Sequence, residues 1–258
     1  ISAGPDGRLA VADTGNNRLV VYSAEGAVTA VLGRLGRAPG QLNGPLDAAV
    51  DNAGRIFVVD TQNDRVQPFT VAGEPLAPWG GDGADSRQFN EPGGIYVDAG
   101  GRVLVADTGN NRVQIFDRGG VLIERWGSQG SGPMQFSRPR DVAAASTGQV
   151  YVADTGNNRV QVLSFSGFPL DPPTLTAPGL TFQAPRGTTI DNGRVYVSDT
   201  GHHRVLVFGD GEPQIIGGYG LDPGQLDRPE GVAVGSDGHI FVADTGKDRV
   251  QVFATDGT

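Results

Sequence analysis

One group of polar residues recurs six times along this 258-residue chain. Each copy places an aspartate five residues before an arginine, with a threonine directly after the aspartate. The pairs are Asp13/Arg18, Asp60/Arg65, Asp107/Arg112, Asp154/Arg159, Asp199/Arg204 and Asp244/Arg249. Six carboxylates around one face could bind a metal or a substrate. Alternatively, each aspartate ends a strand and caps the backbone N–H groups of a tight Asx-type turn, while the arginine opens the next strand. Because every copy has the pair, we expect this structural role.

His202 and His203 interrupt the pattern, since they stand where other copies have two asparagines. Adjacent histidines with a nearby carboxylate can ligate a transition metal. A zinc site normally has three or four protein ligands, and the only other histidine is His239, in a different repeat. We therefore expect a polar substitution in an exposed loop and no metal site, and keep both histidines as possible contacts for a ligand or partner.

The residues between these copies predict short β-strands. In the third repeat, four β-rich runs occupy residues 94–97, 102–106, 112–116 and 121–126, separated by Gly- and Asp-containing turns. No stretch has the apolar periodicity of a helix, so we expect almost none. Six repeats of 45–47 residues with four strands each predict an all-β, six-bladed β-propeller with four-stranded antiparallel blades, forming one domain over residues 1–258.

The two ends of the chain predict an incomplete ring. The sixth repeat ends after its third strand, which leaves 23 strands and no outer strand for the last blade. We expect flanking sequence to donate that strand to blade six, and the chain to be part of a larger protein. An unpaired sheet edge also suits strand addition by a partner.

Charged residues at one further position distinguish the repeats from one another. A recurring proline (Pro45, Pro92, Pro139, Pro185, Pro229) opens each new repeat. The residues after it begin the inner strands and should surround the mouth of the central channel. The charged ones are Asp47, Arg140, Asp141, Arg186 and Glu230. They either bind a charged peptide or small ligand, or pair with one another as a solvated rim.

The recurring phrase resembles the NHL repeat. The resemblance rests on Val-Ala-Asp-Thr-Gly-Asn-Asn-Arg-Val together with Gly-Gln-Leu/Phe-x-x-Pro before the inner strand. Gln41, Gln88, Gln135 and Gln225 lie four residues before their prolines, whereas blade five has Thr181 there and a proline-rich lead-in. The resemblance covers the whole chain and implies propeller blades that present a loop-rich face to protein partners. Bacterial propellers of this kind occur as extracytoplasmic sensor or adaptor parts of longer proteins, and the resemblance implies such a role here.

Relatives of this kind also include enzymes. One is an amidating lyase, which implies a zinc held by three histidines from different blades; three histidines, two of them adjacent, cannot form that arrangement. Other six-bladed propellers hydrolyse lactones with a metal held by Glu, Asn and Asp, and here only Glu230 and Asp47 are similar. Animal members bind RNA, which requires a basic face.

Composition excludes several further classes of function. The formal net charge is −9, and Lys247 is the only lysine, which argues against nucleic acid. The absence of cysteine excludes disulfides and a thiol nucleophile, and no apolar run is long enough to cross a membrane. The sequence therefore predicts a non-catalytic scaffold that binds a protein, peptide or ligand and has no cofactor. Its composition slightly favours a periplasmic or extracellular location. The alternatives are a metal-dependent propeller enzyme and a structural subunit of a larger assembly.

Overall fold

The computed structural model describes all 258 residues and consists of six antiparallel sheets arranged as blades around a central channel. The inner strands line the channel: Ser2–Ala3, Asp47–Val50, Ile95–Val97, Asp141–Ala144, Thr188–Asp191 and Pro229–Val234. The second strands are Leu9–Asp13, Ile56–Asp60, Val103–Asp107, Gln149–Asp154, Arg194–Asp199 and Ile240–Asp244. The third strands are Arg18–Tyr22, Arg65–Phe69, Arg112–Phe116, Arg159–Ser164, Arg204–Phe208 and Arg249–Phe253. The outer strands are Val28–Leu32, Trp79–Gly80, Leu122–Trp126, Pro169–Thr174 and Gln214–Gly217. This confirms the all-β propeller with a three-stranded sixth blade.

The recurring aspartate and arginine mark the same corner in every blade. The aspartate ends the second strand, and the arginine begins the third directly opposite it, as in the pair Asp107 and Arg112. A single 3-10 turn joins the two strands: Thr14–Asn16, Thr61–Asn63, Thr108–Asn110, Thr155–Asn157, Thr200–His202 and Thr245–Lys247. These turns are the only helical segments. The residue after each turn is Asn, Asp or His with a positive φ, because short polar side chains tolerate this conformation better than most.

The core lies between consecutive blades, since each sheet has two apolar faces. Five clusters of buried side chains fill the five junctions from blade 1 to blade 6. Trp79 and Trp126 belong to two of these clusters, as expected of packing residues. Trp79 lies against Phe116 with ring centroids 4.6 Å apart. The blades thus stabilise one another in sequence around the ring.

The junction between blade 6 and blade 1, called here the open junction, is different. The inner strands meet, because a Cβ on Gly231 would lie 2.8 Å from Cγ2 of Ile1, so the ring closes with six blades. No buried cluster fills the space farther out, where Val11, Val20 and Val28 of blade 1 line a slot. The third strand of blade 6 has no outer partner strand.

Two local features concern the connection before blade 4 and the outer strand of that blade. Ser128–Gln129 and Gln135–Phe136 form a short parallel ladder in this connection, at the position where the connections before blades 2, 3 and 6 have single parallel bridges. The proline-rich outer strand Pro169–Thr174 pairs with its neighbour at only two positions, with an irregularity between them, which agrees with the tolerance of edge strands for proline. The structure contains no helix with the length and mean hydropathy of a membrane-spanning segment.

Candidate functional site

The recurring aspartates act structurally, but not as turn caps. No aspartate side chain accepts a hydrogen bond from a backbone N–H of the 3-10 turn that follows it, so the predicted Asx-type cap is wrong. The Asp107 carboxylate instead accepts hydrogen bonds from Asn90 N (2.9 Å), Asn110 Nδ2, Arg112 Nε (2.6 Å) and Gln114 Nε2 (3.1 Å). These partners come from three separate places in the blade, so the carboxylate fastens the incoming connection to the sheet.

The recurring arginine extends the same fastening. Arg112 Nη1 donates to Ala84 O (2.8 Å), and Nη2 donates to Asp85 O (3.0 Å) and Gln88 O (2.8 Å). These carbonyls belong to the connection that enters blade 3. Arg112 therefore bonds a carboxylate through Nε and three carbonyls through its other nitrogens, which a lysine ammonium has no geometry to do.

Two further bonds link each loop to the next blade. Thr61 Oγ1 donates to Pro92 O (2.9 Å), and Asp64 Oδ1 accepts from Glu91 N (2.8 Å). Equivalent threonine-to-proline bonds occur at all five filled junctions, from Thr14, Thr61, Thr108, Thr155 and Thr200. The polar atoms of the repeat loops are therefore largely occupied inside the protein.

His202 and His203 take over asparagine positions in this network. His202 Nδ1 lies 2.9 Å from Asp199 Oδ2, and His203 Nδ1 accepts from Arg228 N at 3.1 Å. His203 also packs edge-on against Tyr219. The two rings have separate partners and do not line the central channel. His239 is in the turn between the first two strands of blade 6, where it pairs with Asp237. The three histidines do not converge, and no cluster of three or more His, Asp or Glu side chains is arranged to hold a metal ion.

The five charged residues predicted at the channel mouth do come together. Asp47, Arg140, Asp141, Arg186 and Glu230 line one cavity of about 1280 Å³, which comprises the central channel and the slot of the open junction. They are called the channel mouth below. Five side chains from four blades thus converge, although their sequence positions span more than 180 residues.

The two aspartates of the channel mouth bind backbone amides. Asp47 Oδ1 accepts from the Ile1 nitrogen and Oδ2 from Ile95 N, both at 3.0 Å. Asp141 Oδ1 accepts from Val142 N (2.8 Å) and Oδ2 from Thr188 N (2.7 Å). Burial and the negative charge of Asp47 raise the pKa of Asp141 well above its ordinary value. These carboxylates tie neighbouring inner strands together.

The inner strands make room for these carboxylates with glycine. A Cβ on Gly94 would lie 2.1 Å from Asp141 Oδ1, so no other residue fits there without displacing the carboxylate. The glycine that follows Arg186 has the same position in blade 5, and its Cβ would lie 2.2 Å from Glu230 O. Glycine at this position of the inner strands is thus required by the close approach of the next strand.

The arginines of the channel mouth differ from each other in their partners. Arg186 Nη1 bonds to Glu230 Oε1, whereas Arg186 Nε is buried and has no partner. The side chain of Arg140 forms neither a hydrogen bond nor an ion pair with the rest of the protein. Burial and the nearby Arg186 guanidinium lower the pKa of Arg140, so the two positive groups repel each other. The predicted self-pairing rim therefore accounts for Arg186 and Glu230 but not for Arg140.

One site residue has no signal in the repeat pattern. Thr188 lies two residues after Arg186 on the inner strand of blade 5 and lines the same cavity. It is 6% exposed, and its Oγ1 has no hydrogen-bond partner. The one signal in the sequence is that Thr188 is polar, whereas blades 3, 4 and 6 have the apolar residues Ile95, Val142 and Val232 at this position.

Comparison with solved structures shows the fold. A streptogramin B lyase matches with a TM-score of 0.67 and 17% identity over 96% of this chain and 76% of that chain. The catalytically inactive virginiamycin B lyase of Staphylococcus aureus with quinupristin gives 0.69 and 13%, over 99% and 80%. Hydrazine synthase of Kuenenia stuttgartiensis gives 0.66 and 14%, over 100% and 95%. No curated protein matches the chain significantly in sequence.

Sequence comparison identifies the repeats themselves. The NHL repeat matches residues 89–116, 136–163, 182–208 and 226–253. Each match begins shortly before an inner strand and ends at or next to the last residue of the third strand of the same blade. Blades 1 and 2 have the same Asp–Arg corner and the same strand order. The chain belongs to the NHL-repeat family of six-bladed β-propellers.

Proposed function

We propose that this propeller is a non-catalytic binding scaffold that holds a protein partner or ligand at its channel mouth. The observation that supports this most directly is the contrast between occupied and unoccupied polar groups. The carboxylates and most guanidiniums of the repeat loops are saturated by internal hydrogen bonds. Arg140, in contrast, is directed to the cavity with none of its donors used.

The position of the channel mouth agrees with this role. The inner strands begin at the same end of the ring as the connections between blades, and rigid scaffolds commonly present binding residues on such loop-rich ends. Residues of the channel mouth also differ between blades, whereas the Asp–Arg corner repeats. A scaffold needs the common residues for its fold and the variable ones for recognition.

The test uses a charge reversal at the mouth with a matched control. Arg140→Glu changes the charge of the mouth, and Arg125→Glu makes the same change on an exposed outer strand. Immobilised wild-type protein and both variants are exposed to extract from the source organism, and retained proteins are identified by mass spectrometry. A partner lost with Arg140→Glu and kept with Arg125→Glu supports the proposal, provided that melting temperatures are equal. Equal retention by both variants contradicts it.

The enzyme alternative makes a different prediction. A lactonase-like site would require Glu230 and Asp47 to hold a divalent metal. In the structure, Glu230 is paired with Arg186 and Asp47 accepts two N–H groups, so neither carboxylate is directed to a common centre. A metal that co-purifies in stoichiometric amount and is lost from both Glu230→Gln and Asp47→Asn would favour the enzyme over the scaffold.

The open edge of blade 6 supports a second proposal, namely that it accepts a β-strand from outside the 258 residues. The third strand Arg249–Phe253 is unpaired on one side, and its Val252 is 56% exposed. A peptide with the sequence of residues 122–140 contains an outer strand and the connection that follows it. This peptide should bind and raise the melting temperature, whereas a scrambled peptide should not. Equal effects of the two peptides would exclude specific strand addition.

A further inference from the structure

Residues that line the cavity at the channel mouth have three hydrogen-bonding groups without a partner. They are the Arg140 guanidinium, Arg186 Nε and Thr188 Oγ1, and the latter two are buried. A buried donor without an acceptor destabilises the folded protein, so most such groups in proteins are satisfied by protein, water or ligand. Two of the six unsatisfied buried polar side-chain atoms in this protein belong to residues that line this cavity.

Arg140 is a positive group without an acidic partner in an acidic chain. Arg140 and Arg186 have only Glu230 as an acidic neighbour among the side chains of the mouth that reach them. The carboxylates of Asp47 and Asp141 are turned away from the two arginines and accept hydrogen bonds from backbone nitrogens. Arg140 therefore places one unpaired positive charge in this recess, although the net charge of the chain is −9. The repulsion between two guanidiniums is relieved when an anion lies between them.

Glu230 shows which anion the recess accommodates. Its carboxylate is already bound to Arg186 through Nη1, so a carboxylate fits against this guanidinium. Arg186 Nη2 and the whole Arg140 guanidinium have no hydrogen bond and stay free for a second carboxylate. A guanidinium binds a planar carboxylate through two parallel N–H donors, which Arg140 has available.

From these observations we infer that the channel mouth binds a carboxylate group of the ligand between Arg140 and Arg186. This inference rests on the proposed binding function and specifies its ligand chemistry. Glu230 acts as an internal competitor, because it occupies one nitrogen of Arg186. The carboxylate can come from a small organic acid, from an acidic side chain or from a peptide C-terminus.

The first test measures binding of succinate by calorimetry and by chemical-shift titration, with neutral succinamide as the matched probe. Succinate should bind saturably and succinamide should not. Arg140→Gln should lower the affinity for succinate about 10-fold or more, as expected for loss of a charge-assisted pair. Arg125→Gln on the outer strand should have no effect. Because the Arg140 side chain contacts no protein partner, the Arg140→Gln variant should melt at the wild-type temperature.

The second test reverses the direction of the effect. Glu230→Gln removes the internal competitor and should raise the affinity for succinate, whereas loss of a general fold contact would lower it. Unchanged affinity in Arg140→Gln, or weaker binding in Glu230→Gln, would overturn the inference.

The source of the carboxylate is separated by two peptides. One has an internal glutamate and an amidated C-terminus, and the other has no acidic side chain and a free C-terminus. Binding of only the first identifies an acidic side chain, and binding of only the second identifies a peptide terminus. If succinate and both peptides fail to bind while Arg140→Glu still abolishes partner retention, the scaffold function stands and the carboxylate inference fails. If succinate binds but no partner depends on Arg140, the site stands and the scaffold function fails.

Discussion

Five junctions between blades are closed, and the sixth is open, although all six loops have nearly the same sequence. At a closed junction, a buried apolar cluster and the threonine-to-proline bond hold the blades together. At the open junction, Thr245 Oγ1 reaches only Ala243 O in its own strand, at 3.4 Å, and the Asp248 side chain has no partner. Arg18 bonds only to Asp13. The repeated phrase therefore provides only one side of the contacts that hold two blades together. The connection that enters the next blade provides the other side.

The largest contrast is expected for the corner aspartate. Asp107→Ala leaves the nearly buried Arg112 without its carboxylate, which should lower the free energy of unfolding by about 3–5 kcal/mol. The side chain of Asp107 is fully buried, whereas that of Asp13 is 26% exposed. Asp13→Ala should therefore cost less than about 1 kcal/mol. Urea denaturation of both variants measures the difference, and equal losses would show that the corner does not depend on the incoming connection.

A smaller contrast is expected for apolar packing. Val207 and Val252 occupy the same position in the third strands of blades 5 and 6, but are 4% and 56% exposed. Val207→Ala removes buried methyl groups and should lower the free energy of unfolding by about 2 kcal/mol. Val252→Ala should change it by no more than about 0.5 kcal/mol. A similar loss in both variants would indicate that the open junction is packed in solution. Addition of the 122–140 peptide should enlarge the effect of Val252→Ala and leave the effect of Val207→Ala unchanged.

The threonine bond gives a third contrast. Thr108→Val removes the 2.7 Å bond to the Pro139 carbonyl and should cost about 1 kcal/mol. Thr245→Val removes only the long contact within its own strand and should be close to neutral. Thermal melting of the pair tests this. A destabilised Thr245→Val variant would mean that the loop of blade 6 has an acceptor that the comparison of junctions leaves out.

The smallest contrast concerns pH at the inner end of the junctions. Because the pKa of Asp141 is raised in the folded protein, the folded state binds a proton more tightly than the unfolded chain does. The free energy of unfolding should therefore fall as the pH rises through the folded-state pKa of Asp141. Asp47→Asn removes a neighbouring negative charge, brings the pKa of Asp141 down and should flatten this slope. Denaturation between acidic and neutral pH measures the slope, and Asp13→Asn at the open junction should leave it unchanged.

Much of the fold can be predicted from the sequence because the same repeat occurs six times in the chain. The spacing of Asp and Arg predicts the number of blades, the position of the corner and the missing outer strand, since each repeat independently supports the same assignment. The convergence of Arg140, Arg186 and Glu230 also follows, because residues after the recurring proline begin the inner strands. These predictions depend only on backbone topology.

The partners of individual side chains do not follow from the sequence. The backbone N–H that donates to Asp107 belongs to Asn90, 17 residues earlier in the chain. A local turn pattern therefore predicts the wrong donor for this carboxylate. Likewise, spacing alone does not say that Glu230 pairs with Arg186 and leaves Arg140 free. Both outcomes depend on how side chains from different blades meet in space, and the pattern of one chain carries no information on that.

Lys247 gives the turn of blade 6 a chemical handle. It is the only lysine of the chain and stands where four other blades have asparagine; its ammonium donates to Gly220 O, as Asn157 Nδ2 donates to Gly130 O. Acylation needs a free, unprotonated amine, so the reagent reacts when this turn releases the side chain. Since no other ε-amine competes, the extent of acylation reads the local opening of one identified turn, in the blade with the unpaired edge.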